Sequence, residues 1–125
     1  EYVRKSVGCE HTLESDISTR STVIIELYHT VLELARRIEN DKFEGRTLTL
    51  KIKYSDFSQI TRSITTNKLL QTKDDILPAA KRLLGEVEYS ANHPIRLIGL
   101  SVSNPLPESE MHRAEWVQSY IDFKD

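Results

Sequence analysis

The sequence lacks several features that mark particular classes of protein. Cys9 is the only cysteine among the 125 residues, so no disulfide can form within the chain, as is usual for proteins of a reducing compartment. No apolar run approaches the roughly 20 residues that cross a bilayer, and the 125 residues contain no signal-peptide pattern. The four glycines are scattered and form no phosphate-cradling loop. We therefore expect a cytoplasmic protein with no membrane partner.

Groups that perform catalysis or bind metals are also scarce. Cys9 and His11 lie on one side of a predicted strand, but the other three histidines are dispersed. Zinc sites need paired ligands at finger-type or catalytic spacing, and none occurs, so Cys9 is expected to be a small core residue. Capping and solvation explain the acidic residues of the second predicted helix, which are Asp74, Asp75, Glu86 and Glu88. We predict no catalytic residue, no metal and no other cofactor in this chain.

The charges are segregated along the chain. The formal net charge of -2 argues weakly against a nucleic-acid partner, because proteins that bind duplexes are usually basic over the contact surface. Between Arg46 and Lys68, however, five basic residues stand against one acidic residue. From Pro105 to Asp125, five acidic residues outnumber two basic ones. The sequence thus predicts a basic strand pair and an acidic tail.

Two segments show the apolar spacing of amphipathic helices. The first runs from Ser21 to Asn40, with Thr19 among its candidate N-caps. The second is opened by Thr72 with Asp75 three residues later, a capping-box-like pair, although Pro78 favours a start a few residues downstream. The apolar positions are Val23, Ile24, Leu27, Val31, Leu34, Ala35 and Ile38, then Ile76, Leu77, Ala80, Leu83, Leu84 and Val87.

Alternation of apolar and polar residues marks four strands, so the element order is βαββαβ. The strands are expected at Arg4–Leu13, Leu48–Tyr54, Gln59–Thr66 and Arg96–Ser103. Right-handed crossovers place both helices on one face of a four-stranded antiparallel sheet, an α+β fold whose other face is bare. The first strand begins almost at the first residue. We therefore expect one domain of a longer protein, with the fold occupying residues 1–104.

The bare face of the sheet is the candidate site. Alternation assigns to it small hydroxyl side chains, glycines and scattered charges, namely Arg4, Ser6, Gly8, Glu10, Lys51, Lys53, Thr61, Ser63, Thr65, Gly99, Ser101 and Ser103. Such a surface can approach a phosphate backbone closely and donate hydrogen bonds to it without reading bases. The alternative is an ordinary solvated sheet face, which also favours Thr, Ser and Lys.

Four motifs occur in the order seen in a known family. They are Arg-Lys-Ser-Val-Gly at Arg4–Gly8, Leu-Thr-Leu-Lys-Ile-Lys-Tyr at Leu48–Tyr54 followed by Asp56 and Phe57, Thr-Arg-Ser at Thr61–Ser63, and Arg-Leu-Ile-Gly-Leu-Ser-Val-Ser at Arg96–Ser103. One such motif would be weak evidence, but four in order on the predicted frame are specific. Over residues 1–104 the chain resembles the little-finger domain of Y-family translesion DNA polymerases, of the bacterial DNA polymerase IV type.

The resemblance implies a noncatalytic module that lies in the DNA major groove and holds the double-stranded primer-template. The whole protein would be a DNA-directed DNA polymerase that copies damaged templates, with Mg²⁺ in a palm domain outside this chain. By position, two segments would contact phosphates, the first comprising Lys5, Ser6, Val7 and Gly8 and the second running from Thr61 to Thr66. Some relatives carry arginines where this chain has Ser63 and Thr65, which leaves fewer charged contacts. Arg62 belongs to the second segment, but alternation points its side chain toward the helices unless the strand is bulged.

The end of the chain resembles the peptide by which bacterial polymerases bind the sliding clamp. Gln118, Ile121 and Phe123 form a Gln-x-x-Leu/Ile-x-Phe arrangement, and a segment rich in Pro and Glu precedes it. We therefore predict that residues 105–125 are an acidic tail with a clamp-binding peptide. The alternative is a terminal segment whose apolar residues pack on the domain itself.

Two other kinds of binding module share features with the predicted fold. An RNA-recognition-type domain also uses a bare βαββαβ sheet, but it needs aromatic stacking platforms on the central strands. Alternation places Tyr54 on the core side and Phe57 in a turn, so the predicted face has none. The other competitor is a small-molecule-sensing or structural α+β domain that dimerises through its sheet, although a hydroxyl-rich face disfavours a dry interface.

Overall fold

The computed structural model describes residues 6–104 as four strands and two helices in the predicted order. They are β1 (Ser6–Ile17), α1 (Arg20–Asp41), β2 (Thr47–Tyr54), β3 (Gln59–Thr65), α2 (Lys73–Leu84) and β4 (Ile95–Ser103). The expected α+β class and βαββαβ order are confirmed. The predictions for Arg4, Lys5, Gln118, Ile121 and Phe123 lie outside the described residues. Neither described helix is long and apolar enough to cross a membrane.

The sheet is antiparallel throughout and has the strand order β1-β4-β2-β3. Each helix connects two strands that are not neighbours, since α1 leads from β1 past β4 to β2 and α2 leads from β3 past β2 to β4. The interior strands are therefore β4 and β2, and the edge strands are β1 and β3. Residues that lie opposite one another share a face of the sheet, so the register decides which side chains meet.

The core lies between the sheet and the two helices. In β2 the alternate residues Leu48, Leu50, Ile52 and Tyr54 are buried, and the residues between them are only partly covered. The helices contribute Val23, Leu27, Val31, Leu34 and Ile38 from α1, and Ile76, Ala80, Leu83 and Leu84 from α2. Full burial of one large aliphatic side chain contributes about 1.5 to 3 kcal/mol. This packing holds both helices on one face of the sheet.

Helix α1 begins after Thr19 and ends at Asp41, close to the predicted limits. The chain leaves the helix through Lys42, which adopts the left-handed conformation with a φ of 53°. Gly45 permits close packing, because a Cβ atom at this position would lie 2.4 Å from the carbonyl oxygen of Ser103. The glycine therefore lets the connection between α1 and β2 pass closely against the end of β4.

Helix α2 is opened by the predicted pair of Thr72 and Asp75. The Thr72 Oγ1 accepts a hydrogen bond from the Asp75 N–H at 3.3 Å, and the Asp75 Oδ2 accepts one from the Thr72 N–H at 3.1 Å. The backbone hydrogen bond from Thr72 is the largest cause of a lowered Asp75 pKa. The expected later start is wrong, because the helix begins at Lys73 and Pro78 lies inside it. The capping box satisfies two N–H groups of the first turn, which stabilises a helix start ahead of the proline.

The edge strand β1 is fastened to α1 by side chains. Arg37 donates from Nη1 to the carbonyl oxygen of Gly8 at 3.0 Å. The Nε2 of His11 lies 3.1 Å from the Oε1 of Glu33, and the Cys9 thiol donates to the carbonyl oxygen of Thr30 at 3.6 Å. Burial is the largest cause that raises the pKa of Cys9 to about 11, and the negative charge of Glu33 raises this pKa further. The positive charges of Arg37 and Arg36 act in the opposite direction and lower it. These contacts fix the edge of the sheet that carries the first predicted phosphate-binding segment.

We expect Thr72→Ala to lower the free energy of unfolding by about 0.5 to 2 kcal/mol, the usual cost of losing a side-chain cap. The measurement is urea denaturation followed by circular dichroism. Thr19→Ala is the matched control, since Thr19 is also an N-cap but its side chain makes no capping hydrogen bond. An equal cost for both variants would contradict a stabilising role of the capping box.

We expect the Cys9 thiol to react slowly with iodoacetamide in the folded chain. The pKa of about 11, compared with 9.0 for an ordinary thiol, implies roughly 100-fold less thiolate at pH 8. The rate should therefore rise by about two orders of magnitude in 8 M urea. Glu33→Gln should accelerate the reaction of the folded chain, because it removes a charge that disfavours the thiolate. Equal rates in the folded and unfolded chain would refute this description of the β1–α1 contact.

Candidate nucleic-acid interface

Four cross-strand rows make up the sheet face that neither helix covers, which we term the open face. Each row takes one residue from each strand in the order β1-β4-β2-β3. The rows are Ser6, Ser103, Thr47 and Thr65; Gly8, Ser101, Thr49 and Ser63; Glu10, Gly99, Lys51 and Thr61; and Thr12, Leu97, Lys53 and Gln59. Within residues 6–104, every residue that alternation assigned to the bare face lies on the open face.

Hydroxyl groups form pairs at one end of the open face. The Oγ1 atoms of Thr47 and Thr65 lie 2.8 Å apart, as do the Oγ1 of Thr49 and the Oγ of Ser63. A hydroxyl has one donor and two acceptor positions, so either pair can rearrange to donate to an external oxygen. Thr47 and Thr49 are missing from the predicted site. The signal that identifies them is their position in β2, where they alternate in step with Lys51.

Two glycines keep the middle of the open face low. A Cβ atom on Gly8 would lie 2.8 Å from the Cβ of Ser101, and one on Gly99 would lie 2.9 Å from the Cβ of Glu10. Both distances are shorter than side chains tolerate, so these positions admit only glycine without local movement. The result is a shallow depression of about 540 Å³ lined by both glycines and by Lys51.

Charged groups border this depression. Lys51 lies in it, with its Nζ 3.3 Å from the Oε1 of Glu10, and Lys53 lies in the next row. Arg37 adds a cation from α1, because its guanidinium reaches the outer edge of β1 and donates to Gly8. Strand alternation could not identify Arg37, since the residue lies on a helix. The described open face thus carries two lysines and one glutamate, with an arginine at its border.

Three residues of the predicted contact segments point away from the open face, namely Val7, Arg62 and Ile64, which lies opposite Leu48 and packs against the core. Val7 is 2% exposed and belongs to the hydrophobic core, so only its backbone lies near the open face. Arg62 lies opposite Leu50 and thus on the side of the helices. Its side chain is 11% exposed, with Nε 3.6 Å from the Oε1 of Glu86. Including the Arg62 side chain among the phosphate contacts therefore disagrees with the structure, because β3 keeps regular alternation and has no bulge there.

The aromatic residues near β2 also lie away from the open face. Tyr54 is 3% exposed on the core side, and its ring stacks on His93 with centroids 3.6 Å apart. Phe57 occupies the β2–β3 turn with a φ of 70°, and Arg96 lies over its ring at 5.1 Å from the centroid. None of the sixteen open-face positions is aromatic. The platforms that an RNA-recognition-type module requires are therefore missing from the described face.

One group of three metal-ligating side chains occurs within residues 6–104. Cys9, His11 and Glu33 place their ligand atoms within 4.8 Å of one another. The Glu33 Oε2, however, lies 2.7 Å from the Nη2 of Arg37 and 3.9 Å from that of Arg36. Two unit charges 4 Å apart interact by about 4 kcal/mol at an effective dielectric constant of about 20, so the guanidinium groups oppose a bound cation. We assign no metal to this cluster.

Comparison with known proteins gives close relatives over nearly the whole chain. DNA polymerase IV of Bacteroides fragilis is 60% identical over 123 residues, which is 98% of this chain and 34% of that protein. DNA polymerase IV of Akkermansia muciniphila is 38% identical over 122 residues, or 98% of this chain and 33% of that protein. The chain thus spans about a third of the length of these curated relatives.

Solved structures share the fold. The complex of a beta-clamp processivity factor with the little finger domain of Pol IV contains a chain that matches with a TM-score of 0.65 and 26% identity. The match covers 82% of this chain and 90% of that one. A Y-family DNA polymerase chimera matches with a TM-score of 0.70 at 18% identity, covering 82% of this chain and 29% of that one. The second likeness concerns the fold alone.

A family model described as the impB/mucB/samB family C-terminal domain matches residues 4–115. This match includes every described strand and helix. It agrees with the four ordered motifs of the sequence and with the fold of the Pol IV little finger. The chain therefore belongs to the impB/mucB/samB C-terminal domain family, as a little-finger domain of the DNA polymerase IV type.

Proposed function

We propose that this domain holds the double-stranded primer-template of a translesion DNA polymerase by contacting its phosphate backbone. The observation that carries the proposal is the uncovered sheet face, on which hydroxyls, glycines and lysines share four regular rows. Groups of this kind bind phosphate oxygens and carry little information about base sequence. We therefore infer that binding is independent of sequence.

The geometry supports close approach to a backbone. Gly8 and Gly99 lower the middle of the open face, and the hydroxyl rows beside them supply donors. Lys51 and Lys53 supply the charge on the described face, so few counterions are released on binding. Affinity should be weak, with a Kd on the order of 10⁻⁴ to 10⁻⁶ M, as for nonspecific DNA binding at physiological salt. A face with few charges is suited to holding duplex DNA weakly rather than to binding it tightly.

The chemistry of synthesis belongs, in this proposal, to a part of the polymerase outside the chain. The relatives are DNA polymerases of about three times this length. Two-metal phosphoryl transfer needs carboxylates that hold ions about 3.5 to 4 Å apart. Within residues 6–104 the metal-ligating group contains a single carboxylate, that of Glu33. We infer that Mg²⁺ acts in the palm domain, and that DNA-directed DNA synthesis past damage is the activity of the whole protein.

We also propose that the tail tethers the domain to a bacterial sliding clamp. A solved neighbour at 26% identity is a little finger domain in complex with a beta-clamp processivity factor. In this chain Gln118, Ile121 and Phe123 provide the matching peptide pattern. The proposed boundary at residue 104 rests on β4 ending at Ser103 and on the Asn104 Nδ2 donating to the carbonyl oxygen of Glu44 at 2.8 Å, whereas the matching family model extends to residue 115.

Replacing Lys51 and Lys53 together by Glu should abolish duplex binding, because two cations of the open face become anions. The test is an electrophoretic mobility shift with primer-template DNA at low salt. Lys73→Glu with Lys81→Glu is the matched control, since it makes the same charge change on α2, across the sheet from the open face. Retained binding in the first variant, or equal loss in both, would reject the open face as the contact surface.

Ile52→Ala provides the stability control for this experiment. Ile52 lies between the two lysines in β2 but is fully buried, so its truncation should cost about 2 to 5 kcal/mol. The double lysine variant should change stability by less than about 0.5 kcal/mol per site, as surface substitutions usually do. Binding by the wild-type domain should fall steeply as salt rises. A strong preference for one sequence, or no response to salt, would contradict backbone binding.

For the tail, Ile121→Ala with Phe123→Ala should weaken clamp binding by several kcal/mol, whereas Gln118→Ala should cost about 1 to 2 kcal/mol. Apolar anchors seated in pockets carry most of the energy in such interfaces, and one polar contact carries less. The measurement is calorimetric titration of a peptide spanning Trp116 to Asp125 against the clamp of the same organism. No heat at high micromolar peptide would remove the tethering role and leave the DNA-holding role intact.

A further inference from the structure

A carboxylate lies among the cations of the open face. Glu10 of β1 and Lys51 of β2 belong to the same cross-strand row, with Gly99 of β4 between them. Their side chains meet across the interior strand, with the Lys51 Nζ 3.3 Å from the Glu10 Oε1. The ion pair thus spans two strand spacings and closes over a glycine.

Gly99 makes this crossing possible. A Cβ atom at that position would lie 2.9 Å from the Cβ and 3.4 Å from the Oε1 of Glu10. Any larger residue in β4 would therefore have to displace the glutamate from the path to Lys51. Because Gly99 has no side chain, Glu10 on the edge strand β1 can reach Lys51 on the interior strand β2 and neutralise its charge.

We propose that Glu10 weakens DNA binding by holding Lys51, and that a DNA phosphate must displace the Glu10 carboxylate to reach this lysine. The inference rests on the proposed duplex-holding function. Glu10 and phosphate are both anions that compete for one ammonium group, and their mutual repulsion adds to the competition. The open face thereby binds its duplex less tightly than two unpaired lysines would.

The pair is well suited to exchange. The side chains of Lys51 and Glu10 are 35% and 51% exposed, so water reaches both groups and screens their attraction. Exposed ion pairs of this kind contribute little to stability and break readily. The free energy needed to separate the pair is the penalty that Glu10 places on DNA binding, so the effect of Glu10 on affinity is modest.

The test is fluorescence anisotropy of labelled primer-template DNA with the 125-residue chain at low salt. Glu10→Gln should tighten binding about three- to tenfold, because it frees Lys51 and removes a repelling charge. Glu39→Gln is the matched control, since Glu39 is an exposed residue of α1, across the sheet from the open face. It makes the same change in net charge and should leave the affinity within about twofold of the wild type, given screening over a Debye length of about 10 Å at 0.1 M salt.

A second background separates competition for Lys51 from general repulsion. In a Lys51→Gln chain, Glu10→Gln should tighten binding less than about twofold, because the group that Glu10 holds is gone. Equal gains in both backgrounds would overturn the proposal, as would an unchanged Kd for Glu10→Gln in the wild-type background. Absence of DNA binding by the wild-type chain would instead overturn the duplex-holding function, so the two failures are distinguishable.

Discussion

One-sided burial of the sheet is the constraint on which the rest of this structure depends. Both helices pack on a single face, where β2 alone buries Leu48, Leu50, Ile52 and Tyr54. Because side chains in a strand alternate, the same register that buries these four residues places Thr47, Thr49, Lys51 and Lys53 on the open face. A slip of one residue would exchange the two sets. The composition of the open face is therefore specified by the hydrophobic core and requires no separate folding signal.

Strand order decides which parts of the chain border the open face. The interior strands β4 and β2 carry Gly99 and Lys51, whereas Ser6–Gly8 and Thr61–Thr65 of the two predicted phosphate-binding segments belong to the edge strands β1 and β3. An edge strand has one unpaired row of backbone groups, which leaves N–H donors available but also makes the strand easier to displace. On the β1 side, Arg37 and Glu33 of α1 hold the edge in place through Gly8 and His11. The helix that completes the core thus also holds one border of the open face in place.

The sequence predicted this fold well because most of its signals are local. Alternation in β2 identified the buried residues, and the Thr72–Asp75 pair identified the start of α2 although Pro78 argued for a later one. Strand order could not be predicted in this way, since it depends on long-range pairing between β1 and β4. For the same reason the meeting of Glu33 with Cys9 and His11, and the reach of Arg37 around β1, were not foreseen. Arg62 shows the opposite error. It was included among the phosphate contacts because of its position in the Thr-Arg-Ser motif, although strand alternation correctly points its side chain toward the helices.

Net charge is a poor guide to what such a surface binds, because the charges that count are those on one face and in one row. The chain has a formal charge of -2, yet the described open face carries two lysines against one glutamate. Most of the acidic residues lie elsewhere, and a Debye length of about 8 Å at physiological salt screens them from a ligand on the open face. Glu10 is different because it reaches Lys51 directly across Gly99. We therefore propose that this single carboxylate on the open face influences DNA affinity more than several acidic residues elsewhere.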